Sequence, residues 1–94
     1  MLQSALARAQ SRYHEDLIQE GAALWERLAQ NHPFFDGNKR TAFAVMVTFL
    51  AINGLNLKAE PDEVILFVDS LYESGTFTFE NLEAWLRTHT QPRS

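Results

Sequence analysis

The chain has 94 residues, a mass of 10.8 kDa and no cysteine. It is therefore too short for two domains, and it excludes a disulfide scaffold and a thiolate zinc site. Hydrophobic residues make up 46% and charged residues 21% of the sequence, which is typical of a globular protein and excludes a disordered chain. The net charge of −4 provides no overall positive field that would attract nucleic acid or anionic lipid. Any phosphate group that the protein binds must therefore be held by a local site.

The first half of the sequence shows helical spacing of apolar residues. We predict a short helix over residues 2–9, a polar stretch over residues 10–15 and a helix over residues 16–30, which Pro33 ends. The N-terminal residues lack a basic segment followed by an apolar run, so a signal peptide is not indicated. The longest apolar stretch, residues 42–52, is much shorter than the ~20 residues of a membrane-spanning helix. We therefore expect a cytoplasmic protein.

The strongest helix prediction covers Asn38–Asn53. Its apolar residues occupy every face, which is typical of a central helix buried in the core. Gly54 follows directly and suits the end of a helix.

Two further helices complete the prediction. Pro61 suits the first position of one helix, and Gly75 its end. Thr78 suits the N-cap of the last helix, with Phe77 and Leu82 placed for a hydrophobic staple. With no strand predicted, the fold class is all-α, and residues 1–94 form a single domain whose residues 91–94 are expected to fray.

One segment, His32–Arg40, concentrates the chemically active side chains immediately before the central helix. The first N–H groups of a helix are unpaired and its dipole is positive there, so this end attracts phosphate. Gly37 allows close approach of the backbone, Asn38 adds polar contacts, and Lys39 and Arg40 add full positive charges. These four residues are the candidate phosphate-binding residues.

Two other residues of this segment suit catalysis. Asp36 offers a hard oxygen ligand for Mg²⁺. His32 is the side chain of the segment that titrates near neutral pH, so it is the candidate general base.

The nine residues His-Pro-Phe-Phe-Asp-Gly-Asn-Lys-Arg resemble the signature of the Fic/Doc family, His-Pro-Phe-x-(Asp/Glu)-Gly-Asn-(Gly/Lys)-Arg, and match all eight specified positions. Residues 4–8 and 42–55 also resemble segments of Doc-like proteins. The resemblance implies a Fic/Doc-like helical bundle around a central helix. It further implies that the chain lacks the family's N-terminal helix and has only a short flap near residues 9–16.

Two positions indicate the branch of the family. Lys39 stands where AMP-transferring Fic enzymes have glycine, and Phe43 stands where they commonly have a second arginine. Both features resemble Doc (death-on-curing) toxins, whereas Gly37 departs from the alanine described for Doc. The resemblance thus implies a kinase toxin of a toxin–antitoxin module, which uses ATP and Mg²⁺ to phosphorylate a translation factor such as elongation factor Tu. The alternatives are an AMP transferase and a catalytically silent nucleotide-binding or regulatory member.

The resemblance also implies a protein partner. A Phd-like antitoxin would occupy an apolar groove for which we predict Leu2, Leu6 and Leu17 as lining, or the chain would form homo-oligomers through the same surface. Trp25 is a further candidate for the lining, although packing in the core is its simplest interpretation. The segment Thr76–Asn81 loosely matches an inhibitory pattern of self-inhibited Fic proteins, but helix capping explains the same residues.

Overall fold

The computed structural model describes the backbone of residues 2–31 and 37–92, and the side chains of residues 13–30 and 39–92. Within these ranges the chain forms, in order, α1 (Leu2–Asn31), α2 (Gly37–Ile52), β1 (Leu55–Leu57), α3 (Pro61–Ser74), α4 (Phe79–His89) and β2 (Thr90–Pro92). The two short strands pair antiparallel. The all-α fold class is confirmed, with a minimal strand pair added to it.

The first helix is longer than the sequence pattern predicts. α1 runs without a break through residues 9–16, where we expected a polar stretch and a short flap. That expectation was wrong because Gln, Arg and Glu are good helix formers and residues 2–31 contain no proline. At 1.5 Å per residue, its 30 residues extend about 45 Å, most of the 52 Å length of the molecule.

The hydrophobic core lies where α1 packs against α2 and α4. Trp25 of α1 is its centre, at 1% exposure. The ring of Trp25 lies 5.5 to 6.2 Å from those of Phe43, Phe67, Phe77 and Trp85, distances typical of favourable aromatic pairs. The buried core residues are Leu17, Ile18, Ala22, Trp25, Ala29, Ala42, Met46, Leu50, Leu55, Val64, Val68, Leu71, Phe77, Leu82 and Leu86.

The second helix is central, but it is not buried all round. Ala42, Met46 and Leu50 form a buried stripe on α2, whereas Val45 is 41% and Ile52 77% exposed. The prediction of burial on every face was therefore wrong, because α1 covers only one side of α2 and an open cleft separates α2 from α3. The predicted span differs from the observed one by a single residue at each end.

The caps of the last two helices are confirmed. Gly75 ends α3 in the left-handed conformation, with φ of 70°, which glycine adopts without strain. The Thr78 hydroxyl accepts a hydrogen bond from the Asn81 N–H at 3.4 Å. Phe77 and Leu82 are both buried, as the hydrophobic staple requires.

A contact that the sequence did not predict joins α1 to the start of α4. The Glu26 carboxylate accepts a hydrogen bond from the Phe79 N–H at 2.8 Å. This N–H belongs to the first turn of α4, where backbone donors lack partners within the helix and the dipole favours negative charge. Glu26 therefore acts as a cap supplied by another helix.

The C-terminal residues differ from the expectation of a frayed tail. Gln91 and Pro92 lie in β2, opposite Asn56 and Leu55 of β1. Leu55 is buried at 2% exposure, so β1 is held in the core and fixes the strand that pairs with it. Residues 93–94 lie outside the described part of the chain. Among the helices of the described residues, none combines the length and apolar character needed to cross a bilayer.

Candidate functional site

The structure places four of the six predicted site residues at the start of α2. Gly37 and Asn38 are the first residues of that helix, and Lys39 and Arg40 complete its first turn. The side chain of Asn38, and all of residues 32–36, lie outside the described part of the chain. The predicted positions of His32 and Asp36 relative to the helix therefore remain predictions.

The start of α2 is positively charged, and among the described residues no ion pair neutralises its two cations. Its first turn carries no acidic residue, although carboxylates are the residues that a helix N-terminus favours. Arg40 is exposed and Lys39 is half-buried. Over residues 13–30 and 39–92, the ion pairs are Arg87 with Glu83 and His89 with Glu63, so neither Lys39 nor Arg40 is neutralised by a carboxylate there.

Beside these two cations lies an open cleft of about 840 Å³ between α2, β1 and α3. Its charged residues are Lys39, Arg40 and Asp69. The remaining lining is apolar and consists of Phe43, Val47, Leu57, Ala59, Pro61, Val64, Ile65 and Val68. The cleft thus combines an apolar floor with a cationic end, which suits a ligand that has an apolar body and an anionic group.

The ammonium group of Lys39 contacts an aromatic ring of α3. Its Nζ lies 4.2 Å from the ring centroid of Tyr72, within the range of a cation–π interaction. Partial burial raises the pKa of the Tyr72 phenol above its usual value, so the ring partner of Lys39 is neutral at physiological pH. Sequence reasoning missed Tyr72, since a neutral aromatic residue so far along the chain gives no signal of this contact.

A second, smaller cavity of about 410 Å³ lies between α1 and α2 and is lined by Leu24, Ala44, Val45, Thr48, Phe49 and Ile52. It differs from the groove predicted from the sequence. Leu17 and Trp25 are 5% and 1% exposed, so they belong to the core and cannot line an open groove. That prediction was wrong because α2 and α4 cover the apolar face of α1 on which these two residues lie. The side chains of Leu2 and Leu6 lie outside the described residues.

The segment Thr76–Asn81 forms the N-terminal cap of α4. The Asn81 side-chain amide donates a hydrogen bond to the Thr76 carbonyl at 2.8 Å, and Thr78 is the N-cap. Over the described residues, Glu80 makes no ion pair with Arg40. The contacts of this segment are those of capping.

Metal-ligating side chains are scattered over residues 13–30 and 39–92. No group of three or more His, Asp or Glu side chains there has the arrangement of a metal site. The predicted ligand, Asp36, lies outside them.

Comparison with known sequences shows the family of this chain. A sequence model of the Fic/DOC family matches residues 1–50, which include the whole segment His32–Arg40. The chain belongs to the Fic/DOC family.

A curated relative supports this membership. The protein named Toxin Doc from Mycolicibacterium smegmatis (strain ATCC 700084 / mc(2)155) is 48% identical over 67 residues, which cover 66% of this chain and 52% of the relative. The chain thus spans about half the length of this Fic/DOC relative. No solved structure matches the chain.

Proposed function

We propose that this chain is a Doc-like toxin of a toxin–antitoxin module, and that it transfers the γ-phosphate of ATP to a Ser or Thr hydroxyl of a translation factor. The observation that carries the proposal is the pair of cations, Lys39 and Arg40, at the N-terminus of α2. Neither pairs with a carboxylate in the described residues, and both face the cleft. Such a site is suited to the phosphates of a nucleotide. The name of the M. smegmatis relative supports the toxin assignment.

The residues of the segment have distinct roles in this reaction. The backbone at Gly37 and Asn38, together with the Lys39 and Arg40 side chains, binds the phosphates. Asp36 would hold Mg²⁺, which offsets negative charge on the phosphates as they react. These residues place the γ-phosphorus in line with the target hydroxyl, and phosphoryl transfer depends mainly on such positioning and electrostatic stabilisation.

His32 supplies the proton chemistry. Its imidazole accepts the proton of the target hydroxyl, whose oxygen forms a bond to the γ-phosphorus. The bond between the γ-phosphorus and the bridging oxygen of the β-phosphate breaks, and ADP leaves. The proton then remains on His32 until solvent removes it.

A labelling experiment separates the proposed reaction from its alternative. Elongation factor Tu is incubated with the protein, Mg²⁺ and ATP that carries the label at either the γ- or the α-phosphate. Label transferred from the γ-position alone supports the kinase. Label transferred from the α-position supports the second candidate, AMP transfer, which the lysine at position 39 disfavours.

The third candidate is a catalytically silent member that binds nucleotide without transferring any part of it. Calorimetric titration with ATP and Mg²⁺, run beside the labelling assay, distinguishes this candidate. Binding with no transfer to any protein of a bacterial lysate would support the silent member and contradict the kinase.

We also propose an antitoxin partner whose segment occupies the cleft between α2 and α3. Its apolar residues would cover the floor of the cleft, and its acidic residues would pair with Lys39 and Arg40, so that it would compete with nucleotide. Ile65 and Leu66 are adjacent on α3 and are 57% and 72% exposed, but Ile65 lines the cleft and Leu66 does not. Ile65→Glu should therefore weaken co-purification with the antitoxin encoded beside the toxin, whereas Leu66→Glu should not. Equal retention by both variants would contradict this location.

A further inference from the structure

A lysine that binds phosphate must be held in place without losing its charge. The usual partner of a lysine is a carboxylate, but a carboxylate would neutralise the ammonium group and compete with an incoming phosphate. Lys39 is held instead by the face of the Tyr72 ring, at 4.2 Å from Nζ to the ring centroid. The quadrupole of an aromatic face attracts a cation and leaves its positive charge in place.

The ring that holds Lys39 is itself fixed. Tyr72 stacks on Phe77, with ring centroids 4.7 Å apart and an interplanar angle of 26°. Phe77 meets the edge of Trp25 at 5.9 Å and 89°, and Trp25 is 1% exposed. A chain of three rings therefore connects the core of the molecule to the face on which the ammonium group rests.

The hydroxyl of Tyr72 is not needed for this contact. Among the described residues, the Tyr72 hydroxyl makes no hydrogen bond, although the backbone carbonyl of Tyr72 accepts one from the Gly75 N–H. Because partial burial raises the pKa of the phenol, the ring is uncharged at neutral pH and does not pair with Lys39 as an anion.

We propose that Tyr72 is a positioning residue for Lys39: its ring holds the ammonium group at the start of α2, oriented for an anionic phosphate group, and over the described residues no carboxylate forms an ion pair with it. This inference rests on the proposed function, since it assigns a role to a residue that acts on the phosphate site through Lys39. It places a positioning contact on α3, outside the segment that carries the family signature.

The contact is tested first without any ligand. The chain contains only two lysines, Lys39 and Lys58, so its lysine ε-methylene resonances are few and Lys58→Arg assigns them. Protons above an aromatic face are shielded, so the Lys39 signals should lie upfield of those of exposed Lys58. Tyr72→Phe should preserve the shift, and Tyr72→Leu should abolish it. Coincident Lys39 and Lys58 signals in the unmodified protein would overturn the proposal, even if no variant folds.

The role of the contact is tested with inorganic pyrophosphate as the probe, by calorimetry. Tyr72→Leu should weaken pyrophosphate binding about two- to fivefold, which corresponds to an exposed cation–π contact, and Tyr72→Phe should bind as the unmodified protein does. In a Lys39→Met background, Tyr72→Leu should have no further effect. A merely structural role of Tyr72 would weaken binding in that background as well, and would overturn the proposal.

The remaining outcomes separate this inference from the proposed function. If the unmodified protein binds pyrophosphate and Tyr72→Leu binds it equally well, the role of Tyr72 is overturned while the proposed function stands. If Tyr72→Phe loses as much affinity as Tyr72→Leu, the hydroxyl and not the ring is responsible, and the proposal is overturned. If the unmodified protein does not bind pyrophosphate, the phosphate site fails, and the positioning role fails with it.

Discussion

Lys39 and Arg40 occupy the end of α2 where positive side chains stabilise a helix least. The macrodipole already places positive potential at this end, so two adjacent cations there are locally unfavourable. Over the described residues they gain no carboxylate partner, and only Lys39 gains the Tyr72 ring. A residue pair that does not favour the helix, but that suits an incoming phosphate, indicates a binding role.

Arg40→Ala tests the phosphate site directly. Arg40 is exposed and provides a charge-assisted hydrogen-bond donor, a contact typically worth about 1.5–3 kcal/mol. We expect ATP–Mg²⁺ binding measured by calorimetry to weaken by roughly 10- to 100-fold. Arg27→Ala, at an exposed arginine of α1, is the matched control and should bind ATP–Mg²⁺ with the affinity of the unmodified protein. Equal affinities of the two variants would contradict the site.

His32→Ala tests the general base. Because general-base catalysis typically contributes ~10²–10⁴-fold to a rate, transfer of label to the target should fall by about that factor, while ATP binding persists. His14→Ala, at a histidine of α1, is the control and should retain full activity. Residual activity within about tenfold of the unmodified protein would show that His32 is not the base.

At the residue scale, the types and spacing of His32, Asp36, Lys39 and Arg40 predict a phosphate site with a candidate base and a candidate Mg²⁺ ligand. The structure describes the side chains of Lys39 and Arg40 and places both at the cleft, whereas the roles of His32 and Asp36 stay predictions. The contact of Tyr72 with Lys39 is not predictable in this way, because it depends on how α3 lies beside α2.

Among the helices, α1 shows how helix propensity determines the conformation of a polar stretch. Residues 10–15 interrupt the hydrophobic pattern, but they contain good helix formers, and the helix continues through them to Asn31. Past this stretch, Leu17 and Ile18 enter the core. The caps were predictable, since Gly75 and Thr78 act through local backbone geometry that the residue type specifies.

Glu26→Ala tests the cap that α1 supplies to α4. Loss of the hydrogen bond from the Phe79 N–H should lower the free energy of unfolding by about 1–2 kcal/mol, measured by urea denaturation. Glu26→Gln should lower the free energy of unfolding by less, because its amide oxygen still accepts the hydrogen bond from the Phe79 N–H. Glu20→Ala, at an exposed position of the same helix, is the control. Losses of equal size at both positions would contradict the capping role.

At the scale of the whole molecule, one aromatic cluster joins the helices. Trp25 of α1 contacts rings of α2, α3 and α4, as well as Phe77 between the last two helices. From the sequence, packing is the simplest interpretation of Trp25 and an open groove is a further candidate; its 1% exposure confirms the packing. A helical pattern shows which face is apolar, and only the packing shows what covers it.

Trp25→Ala should destabilise the molecule strongly. Truncation of a buried tryptophan to alanine typically costs about 3–5 kcal/mol, a large share of the roughly 5–15 kcal/mol that stabilises a small domain. Thermal unfolding followed by circular dichroism should show a large fall in Tm. Tyr13→Ala, at a side chain that is 53% exposed, should change the stability by no more than about 0.5 kcal/mol. A fall in Tm as small as that of Tyr13→Ala would contradict the central position of Trp25.

The intact mass of the target protein tests the central claim most directly. Elongation factor Tu, purified and incubated with this protein, ATP and Mg²⁺, should gain the mass of one phosphoryl group at a Ser or Thr, and should gain nothing when His32→Ala replaces the unmodified protein. A mass increase equal to AMP, or an unchanged mass under conditions in which the protein binds ATP, would contradict phosphoryl transfer to this target.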